Sequence, residues 1–180
     1  TIYWYAYHKD LPDSHYLIPH LNSAQQNSGA VWGTHNSLDS NIFRIGTGTP
    51  ASMWIPSGTH DCIFYVWTSV EGYSAFGKFS GNSSTSGPFQ YCGFKPRFLL
   101  LKGITQARDW IILDTARDTG NVGDSYLYPN SSGAEATYAI ADILSNGFKM
   151  RYNGGLANQT GEEYVWAAFA SHPFKTARAR

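Results

Sequence analysis

The stretch Phe98-Leu99-Leu100-Leu101, followed by Trp110-Ile111-Ile112-Leu113, decides the fold class. Each is a short apolar run bounded by turn-forming residues, which is typical of a well-buried strand. Further along the chain, Tyr164 to Phe169 predicts another strand, and Phe43-Arg44-Ile45 alternates between apolar and charged residues as a half-buried strand does. Strand patterns therefore dominate on both sides of this central stretch.

A β-hairpin is predicted beside Phe148-Lys149-Met150-Arg151-Tyr152, which alternates strictly. Asn146-Gly147 comes just before it and is the strongest short hairpin signal, because both residues tolerate positive φ. Ser132 to Leu144 is rich in alanine and could hold a turn or two of helix. We expect an all-β fold, a jelly-roll-like β-sandwich.

The composition limits the function classes before any motif is considered. The 180 residues include 13 basic and 13 acidic side chains, and only 14% are charged, so we expect no nucleic-acid partner. No uncharged apolar stretch approaches the ~20 residues that cross a bilayer, so we expect no membrane insertion. The cysteines Cys62 and Cys92 leave a single disulfide open as an alternative to free thiols.

An internal repeat divides the chain into two related halves. Tyr65 to Phe76 matches Tyr164 to Lys175 in register. Further matches, in the same order, are Tyr16-Leu17-Ile18-Pro19 with Tyr126-Leu127-Tyr128-Pro129, Ser40 to Ile45 with Ser145 to Met150, and Trp4 with Trp110. We expect residues 1–79 to form the first half, 80–93 a polar linker loop and 94–180 the second half. Halves of this size have modest cores, so the two should share one interior within a single compact domain.

The repeat also predicts a core and a scaffold. The expected core residues are Phe98, Leu100, Ile112, Phe148, Met150, Val165 and Phe169 in the second half, with Phe43, Ile45, Phe64 and Val66 in the first. The pairs Trp4–Trp110 and Trp67–Trp166 should occupy equivalent scaffold positions. The strand at 94–102 has no counterpart after Thr1, so we expect the chain to be part of a longer protein.

Several motifs together resemble a known family. They are Asp114-Thr115-Ala116-Arg117-Asp118, Tyr126 to Ser132, Leu144 to Arg151 and Ala168 to Lys175. With the rest of the chain, they resemble an uncharacterised β-rich repeat family of tailed phages, often marine ones, found near the C-terminus of virion or tail-associated proteins. Met53-Trp54-Ile55-Pro56 departs from that family's usually polar, turn-like stretch. The resemblance implies a structural or adhesive virion module, and it transfers no catalytic residues.

No motif in the chain points to catalysis. There is no Gly-x-Ser-x-Gly elbow, phosphate-binding loop or dinucleotide-binding fingerprint. The acidic doublet Glu162-Glu163 cannot act as an acid–base pair, because neighbouring strand residues face opposite sides. Four aspartates between 109 and 124 surround one strand and its following turn, where carboxylates commonly brace loops; calcium or sugar coordination is the alternative. We expect no catalytic residue and no cofactor.

The histidines do not form a recognisable metal site. Five of the six lie in the first third of the chain, at His8, His15, His20, His35 and His60. No spacing among them matches a known set of metal ligands, so we expect surface or hydrogen-bonded histidines and no metal.

Two tryptophans, Trp32 and Trp54, have no partner in the repeat. Trp32 lies at an apolar position, which favours packing, whereas Trp54 lies in a Gly-, Thr-, Pro- and Ser-rich loop at 46–58. A loop tryptophan offers a flat apolar face and one N–H donor for stacking on a sugar ring, although pinning the loop or contacting another subunit is an equal alternative. His35 and His60 also occur only where the halves diverge. We therefore predict Trp54, His35 and His60 as glycan-binding residues.

The sequence supports two hypotheses of different classes. The first is a non-enzymatic phage virion module, exposed on a tail fibre, tailspike or capsid surface. It would bind other virion proteins, copies of itself or a host-surface glycan. The alternative is a carbohydrate-binding module or carbohydrate-active enzyme domain, and two carboxyl groups facing each other ~5–10 Å apart across a cleft would favour the enzyme.

Overall fold

The computed structural model describes residues 3–28, 31 and 63–172. Within these residues the strands are β1 His15–Tyr16, β2 Gln26–Asn27, β3 Ser74–Ser80, β4 Phe89–Tyr91, β5 Pro96–Gly103, β6 Trp110–Asp114, β7 Gly123–Leu127, β8 Ala136–Leu144, β9 Gly147–Met150 and β10 Glu163–Ala170. The strands predicted around Leu99, Ile111, Phe148 and Val165 are all confirmed. The suggested turn of helix near Ser132 to Leu144 was wrong, because strand β8 occupies most of that stretch.

Strands β3 to β10 form one antiparallel sheet in the order β3-β10-β5-β6-β7-β8-β9-β4. The sheet curls nearly into a barrel, while β1 and β2 pair separately. Its curvature brings edge strand β4 close to β10, where the indole N–H of Trp166 donates to Gln90 Oε1 over 3.2 Å. The expected all-β class, of the sandwich and barrel kind, is confirmed.

The concave face of this sheet carries the main hydrophobic core. Leu99 and Leu101 of β5 are each 1% exposed and point into it, as do the fully buried Phe148 and Met150 of β9. Phe148 and Met150 were predicted correctly. Val165 was also predicted correctly and is buried in a second cluster, whereas the predicted core residues Phe98, Leu100, Ile112 and Phe169 are only half-buried. A continuous apolar run has no alternation, so its inward face cannot be read from the sequence.

Residues 3–28, here called the N-terminal segment, cover part of the opposite face of the sheet. Leu11 and Leu17 form a second buried cluster with Trp110, Val165 and Ile104 of the sheet region. Hydrogen bonds hold the segment in place, from the Trp110 indole N–H to the Ile18 carbonyl and from the Gln25 N–H to the Ile104 carbonyl. Both faces of β5, β6 and β10 are therefore buried in part, which explains their nearly continuous apolar sequences.

Residues 80–93, predicted as a polar linker loop, contain exposed polar residues at 82, 83, 85 and 86 and also a stretch that pairs with the sheet. Phe89–Tyr91 form strand β4, which pairs with β9, and Gly81 forms a bridge with Thr160. Between these, the buried Asn158 binds the polar loop through its side chain. The small polar residues of this stretch form a docked edge of the domain.

The predicted equivalence of the tryptophan pairs was also wrong. Trp110 and Trp166 are buried in strands, whereas Trp4 and Trp67 lie outside strands and are exposed. Phe64 and Val66 are exposed too, and Phe43 and Ile45 lie outside the described residues. The boundaries 1–79 and 94–180 stay predictions, because residues 32–62 are not described.

Candidate ligand-binding surface

The residues that the sequence proposed as a glycan site, Trp54, His35 and His60, all lie outside the described residues. The described part of the chain instead contains a different group of aromatic side chains with the properties expected of a binding surface. It is built from the start of the N-terminal segment and from the residues that lead into β3.

Three exposed aromatic rings, Trp4, Tyr65 and Trp67, form this surface, here called the aromatic array. The ring centroids of Trp4 and Tyr65 are 6.2 Å apart with 15° between their planes, and those of Tyr65 and Trp67 are 6.2 Å apart with 16°. The three residues are 64%, 61% and 61% exposed. Rings this exposed place a large apolar area in contact with solvent, which is unusual for large aromatic residues in a folded protein.

Trp4 is oriented by its two neighbours. Tyr3 stacks on His20 with ring centroids 5.2 Å apart, and Tyr5 contacts Tyr16 edge to face at 5.3 Å. Residues i−1 and i+1 of an extended chain point to the side opposite residue i, so these two contacts turn the indole of Trp4 towards Tyr65. The N-terminal segment thus supplies one ring and the packing that fixes its direction.

Tyr65 and Trp67 are two residues apart, and their rings lie on the same side of the chain. Two residues of extended chain span about 6.6 Å, close to the observed 6.2 Å between the ring centroids. Downstream, the Ser74 hydroxyl donates to the Thr68 carbonyl over 2.7 Å, and the Val70 N–H donates to the Ser74 carbonyl over 3.0 Å. These bonds tie the segment to the first residue of β3.

The residues that flank Tyr65 and Trp67 in sequence are uncharged and mostly apolar. Ile63 and Val66 are 78% and 67% exposed, and the sequence from 63 to 70 contains no charged residue. Contiguous exposed apolar side chains of this kind mark interaction sites. Stacking platforms for single-stranded nucleic acid are combined with a positively charged groove, which this stretch does not supply. The chemistry of the array is that of stacking on a neutral, partly apolar ring.

Two aromatic clusters in the sequence could have indicated the array, but the repeat favoured a different interpretation of the same residues. Tyr3-Trp4-Tyr5 and Tyr65-Val66-Trp67 are aromatic clusters without charges. Because Trp4 and Trp67 each matched a strand tryptophan of the second half, they were assigned to the scaffold. A match in residue type does not report burial, and only the structure separates the two environments.

The carboxylates that could have suggested an enzyme have structural roles. Asp118 accepts the backbone N–H groups of Gly120, Asp124 and Ser125, so it braces the turn after β6, as predicted. Burial works to raise the pKa of Asp118, but these three donors and nearby Arg117 hold it below its ordinary value. Of the acidic doublet, Glu162 is fully buried while Glu163 pairs with a lysine at the surface. The two carboxyl groups do not face each other, as expected.

Glu162 belongs to a buried polar cluster beneath the N-terminal segment. Its Oε1 accepts the backbone N–H groups of Thr105 and Gln106, and its Oε2 has no hydrogen-bond partner within the described residues. The ammonium group of Lys102 donates to the backbone carbonyls of Asn22 and Arg108. Burial lowers the pKa of Lys102 to about 8, although the charge of Glu162 opposes that shift. This cluster anchors the N-terminal segment.

The described histidines are hydrogen-bonded or lie at the surface. His8 donates from Nε2 to the Trp166 carbonyl over 3.1 Å and accepts the Asp10 N–H at Nδ1, and burial lowers its pKa. His15 bonds the Asp13 carbonyl. Across residues 3–28 and 63–172, no three His, Cys, Asp or Glu side chains are grouped in a way that could hold a metal ion.

Two further observations concern the described residues. Cys92 is a buried free thiol, and burial raises its pKa to about 12; Cys62 lies outside these residues. None of the helices within the described ranges is long and apolar enough to cross a membrane.

Comparison with known proteins places the chain in a family. Residues 1–173 match the family described as "Domain of unknown function (DUF7483)", and the chain belongs to it. No match was found among curated proteins or among solved structures.

Proposed function

We propose that this member of the DUF7483 family is a non-enzymatic attachment module of a phage virion, exposed on a tail fibre, tailspike or capsid surface, and that it binds a host-surface glycan. The phage context rests on the sequence resemblance. The observation that carries the binding function is the aromatic array, three exposed and nearly parallel rings at Trp4, Tyr65 and Trp67.

Sugar rings have apolar C–H faces and polar edges, so a flat indole or phenol is a suitable surface for them. Tryptophan and tyrosine each combine such a face with a polar group at the rim. They also lose little conformational entropy on binding, because each has only two side-chain torsions. A row of rings held in one orientation suits successive units of an oligosaccharide better than a single small molecule.

The arrangement favours binding over hydrolysis. Glycoside hydrolysis uses two carboxyl groups that face each other across the bound sugar. The three array residues carry no carboxylate, and the acidic residues nearest to Tyr65 and Trp67 in sequence, Asp61 and Glu71, lie on either side of the segment 63–70. Asp118 and Glu162 are engaged with backbone N–H groups elsewhere.

A glycan array of bacterial surface polysaccharides tests the proposal, followed by titration calorimetry with the best-bound oligosaccharide. Trp67→Ala should weaken its binding by about 1–3 kcal/mol, which is roughly the value of one stacked aromatic ring. Tyr65→Ala should also weaken binding of this oligosaccharide. Tyr91→Ala is the matched control, because Tyr91 is 69% exposed on β4 and belongs to no such row of rings.

Unaltered glycan affinity in both array variants would refute the proposal, provided that their melting temperatures stay near that of the wild type. Sedimentation of the same variants tests the competing assignment. If Trp67→Ala dissociates an oligomer while glycan binding stays the same, the array is an interface between copies of this chain and does not bind a sugar.

A further inference from the structure

A cleft of about 420 Å³ lies at the end of the sheet where β5 begins and β10 ends. Its lining includes two cations, Lys95 and Arg97, the imidazole of His172, and the hydroxyl groups of Thr115, Thr119 and Ser171. No carboxylate occurs among its described lining residues. The volume is within the range of small-ligand pockets, about 300–1,000 Å³.

The two permanent cations of the cleft are available to a ligand. The ammonium group of Lys95 makes no hydrogen bond or ion pair with the described residues, while its backbone carbonyl accepts the Ser171 N–H over 3.0 Å. Arg97 approaches Asp114 only at 3.7 Å from Nε to Oδ1, which is longer than a hydrogen bond. That same Asp114 oxygen already accepts the Ala116 N–H at 2.8 Å. The guanidinium group therefore keeps donors for an incoming anion.

Nearby acidic groups are occupied elsewhere. Both carboxylate oxygens of Asp118 accept backbone N–H groups of its own turn. Glu135 is paired with Arg117. Asn121 accepts the Ile143 N–H with Oδ1, which leaves its amide N–H groups as donors at the cleft. The cleft thus combines the charges of Lys95 and Arg97 with neutral donors, and the carboxylates of Asp114 and Asp118, which lie close to it, are already held by backbone N–H groups.

We propose that this cleft binds the oxyanion of an acidic saccharide, a carboxylate or a phosphate group. The planar guanidinium of Arg97 matches either group with two parallel N–H···O bonds, and Lys95 adds a point charge. The threonine and serine hydroxyls and the Asn121 amide are then placed to bond sugar hydroxyls. This inference deepens the proposed function and rests on it for the saccharide part of the ligand.

The segment that carries Tyr65 and Trp67 joins β3 at the end of the sheet where the cleft lies. In the pairing of β3 with β10, Ser74 lies opposite Phe169, and the Ala170 N–H donates to the Tyr73 carbonyl over 2.8 Å. This segment therefore enters β3 where β10 leads out towards His172. Binding residues often concentrate where loops meet a rigid sheet.

Titration of the full chain with three monosaccharides, followed by amide chemical shifts, tests this proposal. The ligands are glucuronate, glucose 6-phosphate and uncharged glucose. We expect the two anionic sugars to shift cleft amides, including those of Thr115, Asn121 and Ser171, and glucose to bind at least tenfold more weakly. The stronger of the two anionic ligands identifies carboxylate or phosphate as the preferred group.

Arg97→Gln and Lys95→Gln should each weaken binding of the anionic sugars about tenfold or more, since each removes a charged hydrogen-bond donor. Lys78→Gln is the control, because Lys78 is a partly exposed cation of β3 that pairs with Glu163 where β10 begins. Equal affinity in the wild type and both cleft variants, or glucose binding as tightly as the anionic sugars, would overturn the proposal. Trp67→Ala tests the array and Arg97→Gln tests the cleft, so either idea can fail while the other stands.

Discussion

Replacing Asn158 with alanine tests the finding that residues 80–93 are docked onto the sheet. Asn158 is fully buried. Its Oδ1 accepts the Asn82 N–H over 3.0 Å, and its Nδ2 donates to Asn82 Oδ1, the Ser84 carbonyl and the Tyr152 carbonyl over 2.8–2.9 Å. One amide side chain therefore connects the polar loop after β3 to the chain that follows β9.

The expected cost follows from these contacts. Two N–H groups and one accepting oxygen form at least three hydrogen bonds, each contributing about 1 kcal/mol net. The alanine variant also leaves the carbonyls of the half-buried Ser84 and Tyr152 without this donor, which adds up to about 2 kcal/mol. Asn158→Ala should thus lower the free energy of unfolding by about 3–5 kcal/mol.

Urea unfolding at pH 7 measures this loss, and Asn153→Ala is the control at an exposed asparagine nearby, with an expected change within about 0.5 kcal/mol. Asn158→Asp separates hydrogen bonding from packing, because it keeps the side-chain volume and the acceptor but loses both donors. Its loss should be comparable to that of the alanine variant. A loss below about 1 kcal/mol for Asn158→Ala, with unchanged hydrogen exchange at Asn82, would refute the docked-loop interpretation.

Strand positions were predictable because short apolar runs and strict alternation are local signals. The alternation at 148–152 gave the correct inward face, since Phe148 and Met150 are fully buried. The run at 98–101 gave the correct strand and the wrong face. The N-terminal segment covers the other side of this strand, so both faces carry apolar residues. A local pattern therefore cannot show which of the two faces is the more deeply buried one.

The hairpin after β8 was predicted correctly, but for a different physical reason. The positive-φ glycines of the described residues are Gly72, Gly93 and Gly161, and Gly147 is not among them. Gly147 instead faces strand β4, where a Cβ atom would come 2.0 Å from the Gln90 carbonyl oxygen. Glycine is required at this position because β9 pairs with β4, a strand that is distant in sequence. The Asn146-Gly147 dipeptide alone therefore could not indicate this requirement.

The candidate site could not be predicted from sequence patterns either, because it also depends on residues that are far apart in sequence. Trp4 and Tyr65 stack although about sixty residues separate them, and the cations at 95 and 97 meet His172 only because β5 and β10 are adjacent. Long-range juxtapositions of this kind depend on strand order, which periodicity does not contain. The repeat gave the wrong environment for Trp4 and Trp67 because it assumed that matching residues have matching burial.

Three further perturbations test the packing and the electrostatics. Phe148→Ala should lower the free energy of unfolding by about 3–5 kcal/mol, because the ring is fully buried edge-on to Trp166, and a loss below about 1 kcal/mol would contradict that burial. Gly147→Ala should push the Gln90 carbonyl, and with it strand β4, away from β9 and speed hydrogen exchange of the β4 amides, whereas unchanged exchange would contradict the close approach. The last prediction concerns Lys102, where burial lowers the pKa from 10.5 to about 8. Between these two pH values the unfolded chain binds more protons at Lys102 than the folded one, so Lys102 should contribute a rise in stability of about 1–2 kcal/mol from pH 8 to 9.5. The raised pKa of Cys92 acts in the opposite direction in both proteins, so the rise is measured as the difference between the wild type and Lys102→Met. Lys102→Met should remove that rise, and identical pH slopes in urea unfolding of the two proteins would show that the Lys102 ammonium is not destabilised by its burial beneath the N-terminal segment.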